Sequence, residues 1–199
     1  MSCCSVFGLC NAAWISTFRW LCHCYKSFDR CGRASALVRL TGMSDGLTHL
    51  NSSGEANMVD VTGRDVTVRE AIASGRVNLS SEVVALLRDG TTPKGDVLST
   101  ARIAGIMAAK KTSELIPLCH PIAINKISID LAITDTGVEI KSHIITSDRT
   151  GVEMEALTAV SVAGLTIIDM IKALDPAAEI GAIHVDSKSG GKNGDWKRK

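Results

Sequence analysis

The chain has 199 residues, 45% hydrophobic and 22% charged, with a formal net charge of +1. That length suits one globular domain with enough apolar material for a core, and without 18 consecutive apolar residues no membrane span is expected. The averages conceal two unlike parts. Six of the seven cysteines (Cys3, Cys4, Cys10, Cys22, Cys24, Cys31) and six of the seven aromatics (Phe7, Trp14, Phe18, Trp20, Tyr25, Phe28) lie in the first 31 residues. Residues 1–42 carry five basic residues (Arg19, Lys26, Arg30, Arg33, Arg39) against Asp29 alone. The rest holds 17 basic and 20 acidic residues, about −3, which is not the basic surface a nucleic-acid binder needs.

Residues 1–42 show no sustained helical or strand period and are expected to be an unstructured or non-family extension. Three readings compete for them. They are an acid-poor organellar transit peptide, a soft-metal site built on Cys22-His23-Cys24 with Cys31, or an extension outside the working protein, with translation starting at Met43. The last is favoured. Adjacent side chains in Cys-His-Cys point apart, which suits tetrahedral zinc poorly. The body that follows, residues 43–199, has one cysteine and so no internal disulfide, in keeping with a reducing compartment.

In the body, Val59–Val61 and Val66–Val68 read as short extended segments. Ser80–Arg88 reads as a helix, with serines at its start, Glu82 in its first turn and Asp89-Gly90 at its end. Asp96–Thr112 reads as an Ala-rich helix capped by Asp96. Ile127, Ile129, Leu131 and Ile133 alternate with polar residues, Thr134–Gly137 turns the chain, and Val138, Ile140 and Ile144 resume the alternation, so an antiparallel hairpin is expected. A long helix starts near Glu153, with Leu157, Val160, Gly164, Ile167, Ile168, Ile171 and Leu174 on its core stripe. Its other side (Thr158, Ala159, Val162, Thr166) has no charge between Ala156 and Ile168, which points to a second cover. A second protein surface is the natural cover, so a homo-oligomer whose subunits meet along this helix is expected; burial wholly within the same subunit is the alternative. Ile180–Val185 reads as a last strand before a Gly- and Lys-rich tail. Two helices with mostly antiparallel strands predict an α+β sandwich, helices on one face of the sheet.

Three groups of residues could carry chemistry. In Pro117-Leu118-Cys119-His120-Pro121 the prolines are expected to hold the segment extended. Cys119 and His120 would then point to opposite faces, so a thiolate–imidazole pair is disfavoured. Glu153, Glu155, Asp169 and Lys172 form the second group. Asp169 and Lys172 neighbour each other on one helical face, whereas Glu155 lies about 21 Å along the axis from Asp169. Either the two ends serve different sites, or an adjacent subunit completes each site. Lys94 and Lys188-Ser189-Gly190-Gly191-Lys192 form the third group, lysines among glycines that suit phosphate but lack P-loop order. The plainer readings are a buried cysteine, a surface ion pair and a solvated tail.

From about Leu47 to Lys197 the sequence resembles the cyclic pyranopterin monophosphate synthase family of molybdenum cofactor biosynthesis. The resemblance rests on Met58-Val59-Asp60-Val61, Lys94-Gly95-Asp96-Val97 leading into Ala101–Ile106, and Leu115–Pro121. It continues through Gly151–Ala159, Asp169-Met170 with Lys172, and Lys188–Lys192, all in order. It implies a ferredoxin-like α+β fold assembled as a homohexamer, a trimer of dimers with sites at subunit contacts. It also implies a phosphorus–oxygen lyase that converts 3′,8-cyclo-7,8-dihydroguanosine 5′-triphosphate to cyclic pyranopterin monophosphate with release of diphosphate. Carried over, it makes Asp169, Lys172 and Lys94 catalytic, and Leu118, Cys119, His120, Met154, Glu155 and Lys188 substrate-binding. No cofactor is required and no metal ligands are assigned; magnesium is compatible with the triphosphate, though no carboxylate cluster demands it. The partners implied are the nucleotide-derived substrate and further copies of the chain, with no nucleic acid and no membrane. The compartment is the cytoplasm, or the mitochondrial matrix if residues 1–42 are a transit peptide. Two other functions stay open: a pterin-binding or regulatory homologue without turnover, and a metal-binding adaptor using the N-terminal cysteines.

Overall fold

Small residues on one side of a strand let a helix come close, and Thr67–Asn78 (β1) is built that way. Its inward positions include Ala71, Ala73, Gly75 and Val77, all buried. The structure, a computed structural model, describes His49, residues 53–192 and residues 194–199. All fall in the unit Leu47–Lys199, and the readings of residues 1–42 lie outside them.

After β1, Ser80 caps α1 (Ser81–Asp89) and Gly90 closes it. Asp96 caps α2 (Val97–Ala109), its carboxylate accepting from the Ser99 N–H at 2.9 Å. The helix expected to reach Thr112 stops at Ala109. A single turn, α3 (Thr112–Leu115), follows, with the Thr112 hydroxyl donating to the Ala109 carbonyl at 3.1 Å. The hairpin β2 (Ile124–Thr134) and β3 (Gly137–Asp148) forms where alternation placed it, Val138 facing Ile133 and Ile144 facing Ile127. Then come α4 (Glu153–Ile171), β4 (Glu179–Ser189) and a two-residue strand, β5 (Trp196–Lys197), that no sequence pattern announced. Val59–Val61 is not a strand, and the extension expected at Val66–Val68 belongs to the much longer β1.

The strands make one antiparallel sheet in the order β2-β3-β1-β4-β5. Helices pack on one face of it, as the α+β expectation required. A Cβ on Gly75 would stand 2.6 Å from Val160 Cγ1 of α4, and one on Gly105 of α2 only 2.5 Å from Ile129 Cδ1 of β2. Ser142 of β3 donates to the Ala156 carbonyl at 2.8 Å, tying the sheet to the start of α4.

By length and composition alone α4 could cross a membrane, but half of it is buried in the fold, as in a core helix. Val160, Gly164, Ile167 and Ile171 form its buried stripe. Part of its uncharged second side is covered by the same chain. The hypothetical Gly105 side chain would also meet the Ala159 carbonyl at 2.9 Å and Ala163 Cβ at 3.3 Å, so α2 lies over that side. Leu165 remains 58% exposed, with Ile103 and Met107 of α2 also open.

Candidate active site

Lys94 sits in a turn closed twice: the Thr92 hydroxyl donates to the Gly95 carbonyl at 2.6 Å, and the Gly95 N–H donates back to the Thr92 carbonyl at 3.0 Å. The turn delivers Lys94 to the C-terminal end of α4. There its Nζ donates to the Asp169 carbonyl at 2.7 Å and lies 3.5 Å from Asp169 Oδ2. Lys172, three residues on, reaches Asp169 Oδ1 at 2.9 Å. Lys172 first, then Lys94, holds the Asp169 carboxyl below the usual carboxylate range. Two lysines around one exposed carboxylate leave an excess of positive charge, and helix-end carbonyls add to their reasons for gathering there.

A different group occupies the N-terminal end of α4. Glu155 is only 4% exposed, and burial pushes its carboxyl up to about 7, with neighbouring Glu153 adding to the rise. Half-buried Cys119 lies close enough to feel it. Burial first, and the Glu155 charge second, raise the Cys119 thiol. His120 Nε2 donates to the Val59 carbonyl at 2.8 Å. That bond draws Met58–Val61 to the site, although the segment is not a strand. A cavity of about 80 Å³ opens between His120 and Glu155. Leu118 is half-buried and Met154 exposed beside them. The prolines do not hold the whole segment extended. The Cys119 N–H donates to the Ile116 carbonyl at 3.0 Å, closing a turn with Pro117 at its second position, where a φ near −65° fits.

Lys188 reaches the same end of α4 because of an irregularity in β4. Val185 pairs with Ala73 on the helix side of the sheet, and Ser187 pairs with Ile72 on the open side. Asp186 is the extra residue between them, so the alternation flips and Lys188, opposite Ala71, faces the helices. Its Nζ meets Glu153 Oε1 at 2.9 Å. Glu153, grouped with Glu155 in the sequence but given no role there, therefore belongs with these residues as the partner of Lys188.

Of the nine residues named from the sequence, Lys94, Asp169 and Lys172 thus gather at one end of α4. Leu118, Cys119, His120, Met154, Glu155 and Lys188 gather toward the other. Asp169 and Glu155 are separated by about 21 Å of helix. Among the described residues no group of three His, Cys, Asp or Glu side chains is placed to hold a metal ion.

The pattern of the MoaC family matches residues 58–191, a span that contains both groups. The chain belongs to the MoaC family. Curated relatives agree over the same region. A cyclic pyranopterin monophosphate synthase of Streptomyces avermitilis is 60% identical over 154 residues, 77% of this chain and 91% of the relative. One from Nocardioides is 60% identical over 155 residues, 76% of this chain and 95% of the relative. Cyclic pyranopterin monophosphate synthase 2 of Mycobacterium tuberculosis is 51% identical over 167 residues, 82% of this chain and the whole of the relative. A single copy holds the two groups of residues at the two ends of α4.

Proposed function

We infer that the chain is a cyclic pyranopterin monophosphate synthase, acting in molybdenum cofactor biosynthesis. It takes 3′,8-cyclo-7,8-dihydroguanosine 5′-triphosphate and releases cyclic pyranopterin monophosphate and diphosphate. The observation that carries this is the 60% identity to synthases across three quarters of the chain. The chemistry of the two groups supports it. Remaking a guanine-derived ring moves protons at several atoms, and closing the cyclic phosphate forms a P–O bond as diphosphate leaves. Asp169, held ionised by Lys172 and Lys94, can take up a proton only where substrate draws those cations away, and until then it keeps the two ammonium groups in place to deliver one. Lys188, paired with Glu153 in the free chain, is the cation we assign to the triphosphate, where it would offset the charge of the leaving diphosphate. Glu155, His120, Met154, Leu118 and Cys119 line the ring end, with Glu155 able to stay protonated near neutrality and donate a hydrogen bond. No resident cofactor enters the scheme, and magnesium, where it takes part, arrives with the triphosphate.

The division of the residues supports assembly. One copy's Lys94–Asp169–Lys172 end would meet another copy's Glu155–Lys188 end, and the exposed Leu165, Ile103 and Met107 offer apolar surface for the contact. A homohexamer built as a trimer of dimers is the assembly we propose. The order β1, three helices, β2, β3, α4, β4, with β2-β3-β1-β4 side by side in the sheet before the short β5, supports the ferredoxin-like description. The bacterial relatives and the single cysteine of the body support a cytoplasmic enzyme, or a matrix one if residues 1–42 direct import.

Diphosphate release from the cyclised nucleotide tests the function. Wild-type protein should release one diphosphate per product formed. Asp169→Asn should assemble normally and lose at least about 100-fold in rate, the scale of general acid–base catalysis. Substantial turnover by Asp169→Asn would remove the carboxylate from the chemistry, and no release by wild type would overturn the synthase reading.

A further inference from the structure

Strand β4 departs from regular pairing at two places close together. Ala182 and Ile183 together oppose Gly75 of β1, and Asp186 is the extra residue between Val185 and Ser187. Ala182 has φ +53°, a left-handed conformation uncommon for any residue but glycine. His184 lies between the two irregularities and meets both. Its Nδ1 is 2.6 Å from the Ala182 carbonyl, and its Nε2 is 3.0 Å from Asp186 Oδ1. The other carboxylate oxygen, Oδ2, accepts from the Ser74 hydroxyl of β1 at 2.5 Å. At the outer edge of the strand the Arg198 N–H donates to the Asp186 carbonyl at 2.7 Å, and Arg198 Nε donates to the Val185 carbonyl at 2.9 Å. Both carboxylate oxygens and the carbonyl of the extra residue are therefore engaged.

The residue held in this way decides where Lys188 points. Side chains alternate along a strand, so a shift of one residue in the pairing turns every later side chain to the other face. If β4 ran on without the second bulge, Asp186 would oppose Ile72, Ser187 would oppose Ala71, and Lys188 would oppose Glu70 on the open side. That pairing has attractions of its own. It restores the ladder beside β1 and sets a lysine directly across from a carboxylate. It would also break the 2.9 Å contact between Lys188 and Glu153 and turn the cation away from α4. No glycine stands between Val185 and Ser189 to favour an extra residue there, so side chains must fix it. The Asp186 carboxylate does this, tied across the strands to Ser74 and along its own strand to His184. Re-aiming a side chain is what bulges beside working sites do.

We propose that Asp186 is a positioning residue for Lys188: held by Ser74 and His184, it fixes the extra residue of β4 and so keeps the Lys188 ammonium on the helix side of the sheet. The proposal rests on the synthase reading for the task that Lys188 performs, and on the pairing of β4 with β1 for the direction in which it faces. Asp186 itself lies on the open side with Ser74, away from the helices, and acts only through the register.

The test uses the assembled full-length protein and steady-state diphosphate release from the cyclised nucleotide. Asp186→Ala frees the strand to pair without its bulge and should lower kcat/KM about 10-fold or more. Deleting Asp186 outright should do less harm: Ser187 would still meet Ile72 and Lys188 would still meet Ala71, so kcat/KM should stay within about threefold of wild type. A role in stability alone gives the opposite order, with the deletion more damaging. Ser74→Ala leaves the sequence of β4 intact and should cost about 3- to 10-fold, which covers the case in which Asp186→Ala fails to fold. A disulfide between Glu70→Cys and Lys188→Cys, located by peptide mass mapping after mild oxidation, reads the register directly. The two positions are on opposite faces in the native pairing and directly across from each other in the slipped one, so the bridge should form only when Asp186→Ala or Ser74→Ala is added. A deletion that loses as much activity as Asp186→Ala would overturn the proposal. Asp186→Ala and Ser74→Ala both within about twofold of wild type, or no bridge in either background, would overturn it as well and leave the synthase reading intact. Wild-type protein that releases no diphosphate would remove the synthase reading, while the bridge would still decide the register.

Discussion

At the scale of single residues, the surroundings of Cys119 and Glu155 decide what each can do. A nucleophilic cysteine needs its thiolate, stabilised by cations or a helix N-terminus. Cys119 has burial and a neighbouring carboxyl instead, both of which keep the proton on sulfur. Cys119→Ser should therefore lose less than about tenfold in rate, far from the roughly million-fold loss typical of a missing nucleophile. Steady-state diphosphate release measures it, and near-complete loss in a folded variant would contradict the assignment. Glu155 makes a prediction about stability. Its carboxyl is raised from an ordinary 4.5 to about 7, so between those values the folded chain holds a proton that the unfolded chain releases. Stability then falls as pH rises through that window. Glu155→Gln removes this dependence and should be more stable than wild type at pH 8, by about 1–3 kcal/mol. The gap should close below about pH 4.5. Denaturant midpoints at several pH values measure it, and a constant gap would show that Glu155 is not held protonated.

At the scale of elements, close approach of backbone to backbone governs both stability and what the sequence could disclose. The contact between α2 and α4 depends on Gly105, whose hypothetical Cβ would stand 2.9 Å from the Ala159 carbonyl. Gly105→Val should cost about 1–3 kcal/mol through overpacking, visible as a lower thermal midpoint. An unchanged midpoint would mean that the helices have room to separate. The same reliance on small residues hid β1. Ala71, Ala73 and Gly75 have low strand propensity and form a strand because a helix sits on them, so tertiary packing overrode local preference. The two amphipathic strands of the hairpin and the helices capped by Ser80 and Asp96 were legible because their signals are local. The bulge at Asp186 was not, since only the pairing of β4 with β1 shows that one residue is extra. For the same reason Lys188 could be noticed as a basic tail residue, but its partner Glu153 could not be assigned.

At the scale of the whole molecule, the length of α4 sets the problem that assembly must solve. A rigid helix holds Asp169 and Glu155 about 21 Å apart, too far for both to touch the reacting portion of one nucleotide from the same copy. The spacing was already present in the sequence. The direction in which each end faces needed the fold. If two copies complete each site, chains damaged at opposite ends of α4 should rescue one another. Co-expression of Asp169→Asn chains with chains carrying both His120→Ala and Lys188→Ala measures this. Each parent alone should release almost no diphosphate, whereas mixed assemblies should recover roughly a quarter of wild-type release, because that fraction of sites draws an intact end from each copy. Mixed assemblies that form and stay as inactive as their parents would contradict the shared site.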